Sequence, residues 1–115
     1  MDPSEEFEIL GEVAESIKDA VVMCDVEGCI RVFNPAAAKL FEMNYPSYCS
    51  DLYGIRRSGE EQPMPPQELP LARALFGQVI EECFEIHQAN GTVQKVIASA
   101  LPIDGLGAIV VCKRV

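Results

Sequence analysis

The sequence predicts an α+β domain built on one antiparallel sheet. Short runs rich in β-branched residues come in neighbouring pairs joined by turn signals, "CDVEGC" at 24–29 and "HQANGTV" at 87–93. Only short helical segments lie between the strands, and one amphipathic stretch precedes them. At 115 residues the chain has the length of a single domain, enough to bury roughly two thirds of the surface its unfolded form exposes.

Each element has a local reason. Phe7, Leu10, Ala14 and Ile17 recur at spacings of three, four and three, with Glu5, Glu6, Glu8, Glu12 and Glu15 in the other positions. This is the pattern of an amphipathic helix over Ser4 to Lys18. Asp2, Pro3 and Glu5 form a capping signal, and the early glutamates suit the positive end of the helix dipole. "AVVMCD" (20–25) is apolar nearly throughout and reads as a strand covered on both faces. "CIRVFN" (29–34) mixes Arg31 among Ile30, Val32 and Phe33 and reads as an edge strand, with Gly28 closing the turn between the two. Asn34 then caps a helix whose first residue is Pro35.

From Tyr45 to Pro70, prolines and turn formers predict an irregular surface crossing with one short helix. "LARALFG" (71–77) reads as a further short helix ended by Gly77. "VIEECFEIHQ" and "VQKVIASALPI" form a hairpin, with Asn90-Gly91 expected to supply a two-residue turn of positive backbone angles. Asp104-Gly105 reverses the chain again into "LGAIVVCKRV", a third, buried strand.

Charge narrows the function. Eighteen Asp and Glu against nine Lys and Arg give a net charge of −9, so phosphate backbones and anionic membrane surfaces repel the chain, and no nucleic-acid partner is expected. No apolar run approaches the roughly 20 residues that span a bilayer. The acidic opening "MDPSEEFE" also lacks the regions of a secretory signal. The expectation is a cytoplasmic segment without membrane insertion. Five cysteines without a Cys-x-x-Cys pair, and a single histidine, indicate neither a disulfide frame nor a metal site.

The order "AVVMCDVEGCIRVFNPAAAKLFEMN" resembles the opening of a PAS domain: an apolar strand ending in Asp, a Gly turn, a second strand and Asn-Pro-Ala-Ala. "MPPQELPLARALFG" is similar to the proline loop and helix of PAS domains in bacterial sensor kinases, and "FEIHQANGTVQKVIASALPI" to their long hairpin with its closing Pro-Ile. The likeness spans residues 10 to 113. It implies a five-stranded antiparallel sheet in spatial order 2-1-5-4-3 and a pocket between the sheet and the short helices. It also implies dimer contacts through an N-terminal helix. The domain division that follows is an amphipathic helix over 1–19 and a PAS core over 20–115.

Candidate sites follow from that frame. Leu71, Leu75, Phe84, Ile97, Ser99 and Val110 are the expected ligand-binding residues, with the Ser99 hydroxyl as the orienting contact; plain core packing is the competing account. Phe7, Leu10, Ala14 and Ile17 are the expected dimerisation seam, which a helix lying across its own sheet would share. No catalytic residues and no metal ligands are expected. The cofactor is unknown, with flavin and haem disfavoured. Cys49 lies where flavin-binding relatives place a photoreactive cysteine, but the Asn-Cys-Arg-Phe-Leu-Gln signature is missing. The helix that bears the haem histidine in other relatives here reads "ELPLARALFG", without one. His87, beside the hairpin turn, reads as a solvated residue able to titrate near neutrality. Cys24 and Cys29 flank a turn, yet buried apolar packing accounts for them better than a redox pair does. Asn34 is explained as a helix cap.

The expected function is a non-enzymatic sensory module of a bacterial two-component system. It would homodimerise, bind a small molecule or a partner, and relay a displacement to an output domain such as a histidine kinase, in cis or in trans. Two alternatives stand beside it: a cysteine-based redox sensor using Cys24, Cys49 or Cys83, and a purely structural homodimerisation domain.

Overall fold

The computed structural model describes residues 2–52 and 54–115. Helix α1 spans Pro3–Glu15, and the Asp2 side chain accepts a hydrogen bond from the Ser4 amide at 2.9 Å, closing its first turn. Strands β1 (Ala20–Asp25) and β2 (Ile30–Phe33) pair antiparallel, with a register irregularity between Met23 and Cys24. Helix α2 (Pro35–Phe41) starts on the Asn34 cap and ends at Glu42, whose φ of 50° is left-handed. The crossing that follows carries a 3-10 turn at Cys49–Asp51, strand β3 (Ile55–Arg57) and a second 3-10 turn at Pro66–Glu68. Helix α3 (Pro70–Leu75) leads into β4 (Ile80–His87), β5 (Val93–Ile103) and β6 (Gly107–Arg114).

The sheet has the order β2-β1-β6-β5-β4-β3 and is antiparallel throughout. The five expected strands keep the expected order; the count is corrected to six. The addition is β3, which lies inside the segment read as irregular and pairs Ile55 with Ile86 and Arg57 with Phe84. Three residues are too few for their own alternation to announce a strand, so β4 supplies the structure by offering its free edge.

The hairpin turn is also corrected. The Gln88 amide donates to the Thr92 carbonyl at 2.9 Å, and the Gly91 amide donates to the Gln88 carbonyl at 3.0 Å, which makes a three-residue loop. Gly91 alone adopts positive φ, at 91°. This is the turn-plus-bulge form, in which a single left-handed residue suffices.

The two faces of the sheet are dressed differently. On the inner face, Val22, Phe84, Val96, Ala98, Ala100, Ala108 and Val110 join one buried cluster with Leu40 and Phe41 of α2 and Leu71 and Ala74 of α3. On the outer face, Phe7 and Ala14 of α1 pack with Val21, Met23, Val32 and Leu106. Arg31 pins α1 there: its guanidinium lies 5.0 Å from the centre of the Phe7 ring, donates to the Ser4 hydroxyl at 3.1 Å and pairs with Asp25 at 3.4 Å. Among the described residues, no helix is long and apolar enough to cross a membrane.

Candidate functional site

The space between the sheet and the short helices is bounded by Phe41 of α2, Leu52, Ile55 and Leu69 of the crossing, Pro70 and Leu71 of α3, and Phe84, Ile86, Val96, Ala98, Val110 and Cys112 of the strands. Every lining side chain is apolar except for the Cys112 thiol. The free volume is about 10 Å³, room for no more than a single water, whereas small-molecule sites usually offer about 300 Å³ or more. Burial pushes the Cys112 thiol up to about 12, so it stays neutral in this apolar setting.

Of the expected ligand residues, the structure brings Leu71, Phe84 and Val110 together around this space. Leu75 packs at the margin of the same cluster. Ile97 and Ser99 are placed elsewhere. On β5 the buried positions are Val96, Ala98 and Ala100, and the alternation of a strand sends Ile97 and Ser99, opposite Cys83 and Glu81, to the outer face. The expected orienting contact of Ser99 is therefore corrected: strand parity directs it away from the pocket.

The N-terminal helix spends its seam within the chain. Phe7 and Ala14 are buried against the outer face, and Leu10 packs on the same cluster. Ile17 lies past the end of α1, two residues beyond Glu15, and is exposed, as are Ile9 and Val13 on the helix.

Asn34 does more than cap. It is 2% exposed and saturates its amide: Oδ1 accepts from the Ala37 amide at 3.0 Å and from Val21 at 2.9 Å, while Nδ2 donates to the carbonyls of Ala14, Ile17 and Asp19. One side chain thus ties the end of α1, the start of β1 and the first turn of α2. The Asn-Pro pair signalled the cap, but nothing local signalled the other contacts.

The interior wall offers no side-chain amide, hydroxyl or imidazole to the edge of a flavin or a haem, and the free volume as it stands is smaller than either ring system. His87 lies away from it: Nε2 meets Glu85 Oε1 at 3.0 Å, and the His87 amide donates to the Gly54 carbonyl at 2.7 Å. Cys49 does not line the space either. Its thiol meets that of Cys24, and this hydrogen bond, with burial second, holds the Cys24 pKa well above the usual thiol range. Burial, with Asp25 and Glu27 nearby, raises that of Cys29. Among the described residues, no group of three or more His, Cys, Asp or Glu could hold a metal ion.

No protein-family model matches the sequence, and no curated protein matches it. Solved structures do. The fold is similar to a domain of a sensory box sensor histidine kinase/response regulator from Geobacter sulfurreducens, at 18% identity and a TM-score of 0.66 over 94% of this chain and 93% of that one. It is similar to a Rhodobacter sphaeroides LOV protein at 12% identity and a TM-score of 0.68, over 96% of this chain and 67% of that one. It also matches the PAS domain of an HTR-like protein from Haloarcula marismortui, at 12% identity and a TM-score of 0.59 over 97% and 93% of the two chains.

Proposed function

We propose that this chain, which has the PAS fold, is a sensory module that answers a small apolar ligand or a partner by repacking the crossing segment and α3 against the inner face. The supporting observation is the closed apolar space. Its wall is shared by Leu52, Ile55 and Leu69 of an irregular segment and by β4, β5 and β6. A ligand that prefers a displaced crossing would shift the population toward that packing. β6, hydrogen-bonded on both sides by β1 and β5, is the strand that would feel it. Ile9, Val13 and Ile17 would carry a homodimer, and a histidine kinase, in cis or in trans, is the output in keeping with the Geobacter sulfurreducens likeness.

Native mass spectrometry of the chain as purified, paired with a thermal-shift screen of apolar metabolites, tests this reading. The expected result is a retained small organic mass, or an unfolding midpoint that rises with added compound as binding to the folded state requires. A bare chain that no compound stabilises, yet dimerises, would instead support the purely structural dimerisation domain.

A further inference from the structure

Two thiols distant in the chain meet beside the β1–β2 turn. Cys24 is a β1 residue of the inner cluster with 0% exposure, whereas Cys49 opens the first 3-10 turn, packs against that cluster and is partly exposed. Their side chains are hydrogen-bonded to one another.

The surrounding backbone fixes this meeting. The Cys49 amide donates to the Gly28 carbonyl at 2.8 Å, the Ile30 amide donates to Ser47 at 2.9 Å, and Cys29 bridges Tyr48 antiparallel. Residues 47–49 therefore run as a short third rung beside the turn. Gly28 keeps the space open: at φ 85° a side chain is disfavoured, and a Cβ there would stand 3.4 Å from the Cys49 sulfur. Cys112 lies four registers along β6 from the residue facing Cys24, and Cys83 is exposed on the outer face.

We propose that Cys24 and Cys49 are a reversible oxidation site, joined into an intrachain disulfide by exchange with a low-molecular-weight disulfide, and that the bond clamps the Cys49–Asp51 turn to β1. Exposure sets the order of events. Of the two, Cys49 is the one that meets a solvent-borne disulfide, so its thiolate attacks one sulfur, the small S–S bond breaks, and a small thiolate leaves and takes up a proton. Cys24 then attacks the Cys49 sulfur of the mixed disulfide, and its proton passes to the second departing small thiolate. Two protein thiols are oxidised and one small disulfide is reduced to two thiols.

Leu52, directly after the turn, lines the interior space, so the clamp fixes one wall of it. The site needs no bound ligand and stands whether or not one exists.

The test equilibrates the whole chain with oxidised glutathione, alkylates it under denaturing conditions and maps the peptides. The expected result is a monomer lighter by two hydrogens before alkylation, three alkylated cysteines in place of the five present, and one joined peptide pair, Cys24 with Cys49, that dithiothreitol reverses. Cys49→Ser, at a partly exposed position, should lose the cross-link entirely, and Cys24→Ala should accumulate the glutathione adduct on Cys49. Should Cys24→Ala fail to fold, Cys49→Ser still decides. Five alkylated cysteines after oxidation, a bond between any other pair, or the same product from Cys49→Ser would overturn the site. Amide exchange through residues 49–52 should slow about tenfold or more on oxidation; an unchanged rate in the cross-linked chain would overturn the clamp.

Discussion

The inner and outer faces of this sheet share the same strands and differ in almost everything else. Inside, Phe84, Val96 and Val110 meet three short elements over alanines at 98, 100 and 108, small enough for helices to approach closely, and almost no space is left. Outside, α1 covers the β1–β2 end, while Glu81, Cys83, Val93 and Leu101 stay exposed and Ile97 and Ser99 half-buried. The fold therefore concentrates its cohesion on one face and leaves contact-making surface on the other.

Three measurements sharpen or break that contrast. The largest effect belongs to Phe84→Ala, at a ring 1% exposed, which should cost about 3–5 kcal/mol in urea unfolding. A loss near 1 kcal/mol would mean the inner face relaxes freely. Next comes an alkaline effect. The Cys112 thiol is held up to about 12 by burial, against about 8.5 for a free thiol. Between those values the folded chain keeps a proton that the unfolded chain has released. Stability must therefore fall as pH rises from about 8.5 toward 12, with no slope from this group below that window. Cys24 contributes with the same sign. Cys112→Ala should flatten the decline measured by urea titration; an unchanged slope would show that the thiol is not buried in solution. The smallest effect is Ile97→Ala, expected to cost under about 1 kcal/mol. A cost rivalling that of Phe84→Ala, with a midpoint that depends on protein concentration, would mean a second copy covers the outer face.

Much of the architecture was legible because its signals are local. Asp2-Pro3 and Asn34-Pro35 start helices where expected, and β5 occupies Val93–Ile103, the run that follows the Asn90-Gly91 turn. The site was less legible for a reason visible in β5 itself. Apolar residues fall on both parities there, Val96, Ala98 and Ala100 against Ile97, Leu101 and Ile103, so alternation alone did not decide which set faces the helices. Pairing with Phe84 decides it. The third contact set of Asn34 and the meeting of Cys24 with Cys49 depend on elements brought together only in the folded chain.

The short strand Ile55–Arg57 has a consequence for solubility. A sheet of this kind ends in two borders whose unpaired amides invite strands from other molecules. Here one border is broken into the three-residue β3, charged at Arg56 and Arg57, and the first four residues of β4 that β3 does not reach, and the other is the four-residue β2, beside an irregular register and braced by α1. Neither offers the long, flat template on which fibrils elongate.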